Sequence, residues 1–131
     1  MEGAAHIIHR ELSYELIGIL YEAHNEVGRF ASEKQVCDVI EIFLMDRSIP
    51  YRREYVIRPV HEGEAVGRHR VDFLIDNKII VEIKFKRFLT REDYYQIKRY
   101  LTQLNLKLGV LVNFQEERLH PKRILNSLGK E

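Results

Sequence analysis

Three charged residues stand in segments that otherwise read as buried strands. Asp72 interrupts "VDFLI", and Glu82 and Lys84 interrupt "IIVEIKF". A charge removed from water is costly unless it is paired or bound to a metal. Two carboxylates brought side by side repel, and a divalent cation between them relieves the repulsion. Mg²⁺ suits such a place, because it takes one or two carboxylates and completes its shell with waters and substrate phosphate oxygens. Lys84 lies two residues beyond Glu82 on the same strand face. It is placed to orient and help deprotonate an attacking water, or to stabilise charge on a phosphate being transferred. The plain alternative is a structural ion cluster on a partly exposed sheet face, with Lys84 paired to either carboxylate.

Whether Asp72 meets Glu82 depends on the turn between their strands. A two-residue turn at Asp76-Asn77 pairs residues whose numbers sum to 153, and sets Asp72 across from Val81. A three-residue turn, Asp76-Asn77-Lys78, raises the sum to 154. Asp72 then opposes Glu82 and Val71 opposes Ile83, so the apolar faces coincide. Register follows the hydrophobic pattern, so the three-residue turn with a bulge is expected. The two carboxylates then stand about 5 Å apart at Cβ.

The elements that must hold these residues follow from periodicity. Leu12, Leu16, Ile19, Ala23 and Val27 form the stripe of an amphipathic helix over 11–27, ended by Gly28. Ser32 is an N-cap for a second helix over 33–47, with a stripe of Val36, Ile40 and Phe43. Glu33 stands on that stripe and is a candidate third carboxylate. Its alternative role is to favour the first helical turn electrostatically. Residues 51–60 read as a strand with an exposed face, 61–67 as a turn, and 68–75 and 79–86 as a hairpin. In the hairpin, His69, Val71, Phe73 and Ile75 are expected to share one face. On the second strand Ile80, Glu82, Lys84 and Lys86 share the polar face. Thr90 to Asp93 resembles a capping box opening a third helix over 91–104. Gln96 and Tyr100, one turn apart, flank its buried stripe and can touch a phosphate or the attacking water, or form an ordinary helix surface. "KLGVLVNF" at 107–114 reads as a buried strand and 119–125 as a short edge strand. The sum is one α/β domain over 1–131, a mixed sheet flanked by helices.

Composition narrows the classes. A single cysteine, Cys37, excludes a disulfide framework, a cysteine zinc site and an iron–sulfur cluster, and points to a reducing, cytoplasmic setting. No apolar run reaches the roughly 20 residues of a membrane helix, and the N-terminus lacks the pattern of a signal peptide. Net charge is only +1, but it is uneven: the basic excess lies after residue 77, in Lys84, Lys86, Arg87, Arg91, Lys98 and Arg99. A basic patch beside a strand is a candidate polyanion surface, the alternative being solvated surface charge.

Asp72, followed on the next strand by Glu82-x-Lys84, resembles the PD-(D/E)XK nuclease superfamily. Glu33 upstream and Gln96-x-x-x-Tyr100 downstream look like its branch related to bacterial recombination helicase–nuclease domains. The run from "HNEVG" through "VDFLIDNKIIVEIK" to "NLKLGVLVNF" is similar to small single-domain GxxExxY proteins over about residues 10–125. Val71 stands where the superfamily has proline. Phe30 and Val36 stand where the naming motif has glycine and tyrosine, and Glu33 matches.

The resemblance implies a restriction-endonuclease-like αβββαβ core and Mg²⁺- or Mn²⁺-dependent hydrolysis of phosphodiesters. The substrate it implies is nucleic acid, DNA before RNA, in repair, recombination or defence. It makes Glu33, Asp72, Glu82 and the Ile83 carbonyl metal ligands, Lys84 catalytic, and Gln96 and Tyr100 auxiliary. Lys86, Arg87, Arg91, Lys98 and Arg99 are expected to contact backbone phosphates. A homodimer is expected on the ground that so short a chain leaves little surface for both site and specificity. The rival readings are an inactive nucleic-acid-binding module and a protein-interaction subunit of a larger complex.

Overall fold

The computed structural model describes residues 6–58 and 69–131. The turn expected over 61–67 lies outside the described residues, as do the expected strand residues 59, 60 and 68. The elements run α1 (Arg10–Val27), α2 (Glu33–Asp46), β1 (Tyr51–Ile57), β2 (His69–Ile75), β3 (Ile79–Lys84), α3 (Arg91–Leu104), β4 (Leu108–Asn113) and β5 (Lys122–Leu125). The strands form one five-stranded sheet in the order β1-β2-β3-β4-β5. Among these strands β3 and β4 pair parallel, with α3 as the crossover between them, and the other neighbours pair antiparallel. The architecture is the expected mixed sheet between helical layers.

Each face of the sheet carries its own core. Leu16, Ile19, Leu20, Val36, Ile40 and Leu44 of α1 and α2 pack on Phe73, Ile75, Ile79, Val81, Ile83 and Val110. On the other face Ile97, Tyr100 and Leu101 of α3 pack on Val71, Leu74, Ile80, Leu111 and Ile124. β3 and β4 are therefore covered on both sides, which is why they read as continuous apolar runs. A charge on β3 has no solvent face to retreat to.

The local signals act as expected at the helix starts. Ser32 Oγ accepts from the Gln35 N–H, and Gln35 Oε1 accepts from the Ser32 N–H, completing a capping box for α2. Thr90 and Asp93 form the same device for α3. The β2–β3 turn is the three-residue one. Asp76 and Asn77 take left-handed φ values of 49° and 55°, which short polar side chains tolerate, and the Lys78 N–H bonds the Ile75 carbonyl at 2.9 Å. The register is Phe73↔Val81, Leu74↔Ile80 and Ile75↔Ile79, all of sum 154.

Two details depart from the sequence reading. β3 ends at Lys84, so Lys86 belongs to the following loop rather than to the polar face of the strand. And His69, Val71, Phe73 and Ile75 do not share a face. Val71 packs in the α3-side core, whereas Phe73 and Ile75 pack in the α1/α2-side core. The physical reason is a kink in the β1–β2 ladder. Arg53 pairs with Phe73 and Tyr55 with Val71, but Glu54 and Asp72 between them make no such pair, and Glu54 takes φ 53°.

Candidate active site

The kink and the end of the β2–β3 ladder fall at the same place. Beyond Phe73↔Val81 the strands stop pairing backbone to backbone. Carboxylates take over instead. The Asp72 N–H donates to Glu82 Oε1 at 3.1 Å, and the Ile83 N–H donates to Asp72 Oδ2 at 2.7 Å. Each acid thus accepts from the opposite strand. This fixes both side chains where the sheet opens, and leaves Asp72 Oδ1 and Glu82 Oε2 outside these two bonds.

Their surroundings differ. Asp72 shares a cavity of about 550 Å³ with the α2 cap Ser32, with Glu33, Lys34 and Cys37 of α2, and with Arg53 and Glu54 of β1; Lys34 and Arg53 are both paired with Asp38. Glu82 is only 6% exposed. Its Oε2 lies 3.5 Å from the Lys84 ammonium, which donates to Gln96 Oε1 of α3 at 2.9 Å. Burial pushes both carboxyls well above the ordinary carboxylate range. For Asp72 the nearby charges of Glu33 and Glu54 push the same way, opposed by the Ile83 N–H and Lys84. For Glu82 the charge of Asp72 is the next cause, opposed by Lys84. Two partly desolvated acids that disfavour their own charges are a setting that a cation relieves.

Asp72, Glu82, Lys84 and Gln96 come together as a unit. Tyr100, one turn after Gln96 on α3, is buried, its hydroxyl pushed up first by burial and then by the Glu82 charge. The Tyr100 ring packs 5.7 Å from that of His69. Glu33 is placed differently from the expectation that it points along the core stripe. It is exposed at the first turn of α2, on the rim of the Asp72 cavity. The Ile83 N–H, whose carbonyl was the expected ligand, is held by Asp72. Glu54 was missed altogether. The signal that could have found it is register, since residues 54 and 72 share the β1–β2 pairing sum.

The expected phosphate contacts divide. Lys86 is tied to buried Asp93 at 2.9 Å, and Arg99 pairs with Glu92 at 2.8 Å. Arg87, Arg91 and Lys98 are exposed, and no ion pair engages them among the described residues. His24, near the end of α1, is a buried structural histidine. Its Nε2 donates towards the Phe114 and Glu116 carbonyls at 3.2 and 2.9 Å. Cys37 is core, its thiol pushed up to about 12, chiefly by burial.

The residues fit a hard divalent cation. Carboxylate oxygens are the donors such ions prefer, and Asp72 and Glu82 each keep one outside the strand-crossing bonds. Among the described residues no three His, Cys, Asp or Glu side chains form a ready-made cage. Mg²⁺ does not need one, since it is held by one or two carboxylates and retains waters.

A family model, that of the PD-(D/E)XK nuclease superfamily, matches residues 10–124. No curated protein matches, and no solved structure does.

Proposed function

The chain belongs to the PD-(D/E)XK nuclease superfamily, and from that premise we propose that it is a Mg²⁺- or Mn²⁺-dependent nuclease that hydrolyses phosphodiester bonds, of DNA before RNA. Repair, recombination or defence is the setting we infer for it. Nucleases of this superfamily generally use divalent metals, and their substrate is nucleic acid. The single observation that carries the reading is the pair Asp72 and Glu82, cross-bonded to opposite strands with Lys84 beside them. Here the one ammonium beside two mostly buried acids pairs with Glu82, and burial disfavours the charge of both carboxyls, which a bound cation relieves.

In this reading Asp72 and Glu82 hold the metal, with the Ile83 carbonyl as a further ligand and Glu33 contributing from the rim. A divalent ion bound there supplies Lewis acidity towards a phosphoryl oxygen and lowers the pKa of water. Lys84 presents its ammonium to the negative charge that grows on the phosphoryl oxygens. Gln96 is a positioning residue, because it accepts from Lys84 and fixes where that charge points. Tyr100, buried in the α3-side core and within electrostatic influence of Glu82, is the second auxiliary residue. Arg87, Arg91 and Lys98 hold the phosphate backbone, giving affinity without sequence preference. The buried, unpaired Cys37 is in keeping with a reducing, cytoplasmic compartment, and no helix among the described residues is long and apolar enough to cross a membrane.

Calorimetric titration with Mg²⁺ and Mn²⁺ tests the metal half directly. One saturable binding event in the wild type, lost in Asp72→Asn and in Glu82→Gln, is the expected result. Equal binding by all three proteins sinks the assignment.

A further inference from the structure

The loop from β3 to α3 carries a feature that phosphate contacts alone do not explain. Phe88 is 69% exposed, three residues after a reading frame of otherwise buried apolar side chains ends at Phe85. The loop that displays it is not slack. Asn113, the last residue of β4 and the register partner of Lys84, is 1% exposed. Its side chain accepts from the Lys86 N–H at 3.2 Å and donates to the Lys86 carbonyl at 2.7 Å. The Lys86 ammonium reaches Asp93 at 2.9 Å, and Asp93 also accepts from the Thr90 N–H at 2.7 Å. The loop is therefore pinned at both ends, and Arg87 and Phe88 are held outward between the pins.

They border a cavity of about 520 Å³, walled also by Tyr94, Asn113 and Lys122. That is within the size range of sites for small organic groups. The Arg87 guanidinium lies 5.4 Å from the Phe88 ring centroid. Glu116, the one acidic residue among the described residues of the lining, is engaged by His120 at 2.9 Å. An aromatic face and two cations without ion-pair partners among the described residues thus meet at one hollow. It lies at the carboxyl ends of β3 and β4, where open α/β sheets hold ligands. Three residues of chain span at most about 10 Å, so Arg87 stands within a few nucleotides' reach of Lys84.

The geometry points to this cavity as a subsite for an unpaired nucleotide next to the scissile phosphate. The base stacks on Phe88, and its phosphates meet Arg87 and Lys122. Stacking needs a base outside a duplex, and rings flanked by cations are how proteins hold single strands. The substrate class is then single-stranded or frayed nucleic acid. This rests on the nuclease reading for its substrate, but the subsite binds without turnover and is measured apart from it.

The test is fluorescence anisotropy of the full chain in EDTA, with a labelled single-stranded DNA, an RNA of the same sequence, and the blunt DNA duplex. The single strand binds more tightly than the duplex. Phe88→Ala weakens single-strand binding about tenfold, the effect of losing one stacked base, leaves duplex binding unchanged, and Phe88→Tyr restores it. The DNA and RNA arms say which sugar the subsite accepts. Single-strand binding unaffected by Phe88→Ala, or weakened no more than duplex binding, overturns the proposal even if Asp72-dependent cleavage is found. Phe88-dependent binding without any Asp72-dependent cleavage removes the nuclease reading and leaves the subsite.

Discussion

Asp72 is held in a place that disfavours its own charge. Burial first, and then Glu33 and Glu54, raise its carboxyl from the ordinary 3.8 to about 6. A carboxyl whose folded value lies above its unfolded one favours folding while protonated. That contribution is full below the unfolded value and is lost as pH rises through the folded one. Metal-free protein should therefore lose stability between about pH 4 and pH 6 from this group alone. Asp72→Asn keeps the shape, and its amide oxygen can still accept the Ile83 N–H. At pH 8 in EDTA it should melt higher than the wild type, by at least about 4 °C for roughly 1 kcal/mol, and the gain should vanish near pH 4. Excess Mg²⁺ should reverse the order by stabilising only the wild type. Differential scanning fluorimetry across pH, with and without metal, reads all of this. A variant less stable than the wild type at pH 8 in EDTA contradicts the account of the pair.

At the scale of elements, the site is made by where regular pairing stops: the β1–β2 kink at Glu54 and the β2–β3 ladder end at Phe73↔Val81. Asn113 then anchors the loop that leaves β3. Asn113→Ala strips the Lys86 N–H and carbonyl of their partner and should cost about 2 kcal/mol, seen as a lowered urea midpoint at unchanged slope. Thr90→Ala, which removes the α3 cap, should cost about 1 kcal/mol. Much of this scale is legible in the sequence. The bounds of α3 at 91–104 follow from a capping box and an apolar stripe that agree. The β2–β3 register follows because only one turn length brings the apolar faces into coincidence. What is hidden is long-range or conformational. A left-handed Glu54 leaves no trace in β1, where it follows two other charged residues, Arg52 and Arg53, so the face switch between Val71 and Phe73 cannot be read. Asn113 is inconspicuous at the end of an apolar run, because its partner lies 27 residues away. Glu33 lies on the stripe by periodicity, yet the first turn of a capped helix sits at the rim, where the stripe has not yet entered the core.

At the scale of the whole molecule, the basic excess of the C-terminal part is not one uniform surface. Lys86 and Arg99 are engaged by Asp93 and Glu92, while Arg87, Arg91 and Lys98 face solvent. Each phosphate neutralised adds about 0.9 to the slope of log affinity against log salt for duplex DNA, and about 0.7 for single strands. Arg91→Ala should reduce that slope by roughly one such increment. Lys86→Ala should leave it unchanged and lower stability instead, because buried Asp93 loses its counter-charge. Equal slope changes for the two variants would show that the ion pairs open on binding.

The central claim is that Asp72, Glu82 and Lys84 are held together for phosphodiester hydrolysis. Its most direct measurement is cleavage of labelled single-stranded DNA, supercoiled DNA and RNA with Mg²⁺ or Mn²⁺ by the wild type, Asp72→Asn and Lys84→Ala. Metal-dependent cleavage of at least one substrate is expected, with at least about a hundredfold lower rate in each variant. Cleavage equal in all three proteins, or no cleavage of any substrate by a wild type that binds no metal, contradicts it and leaves the three charges as a structural cluster.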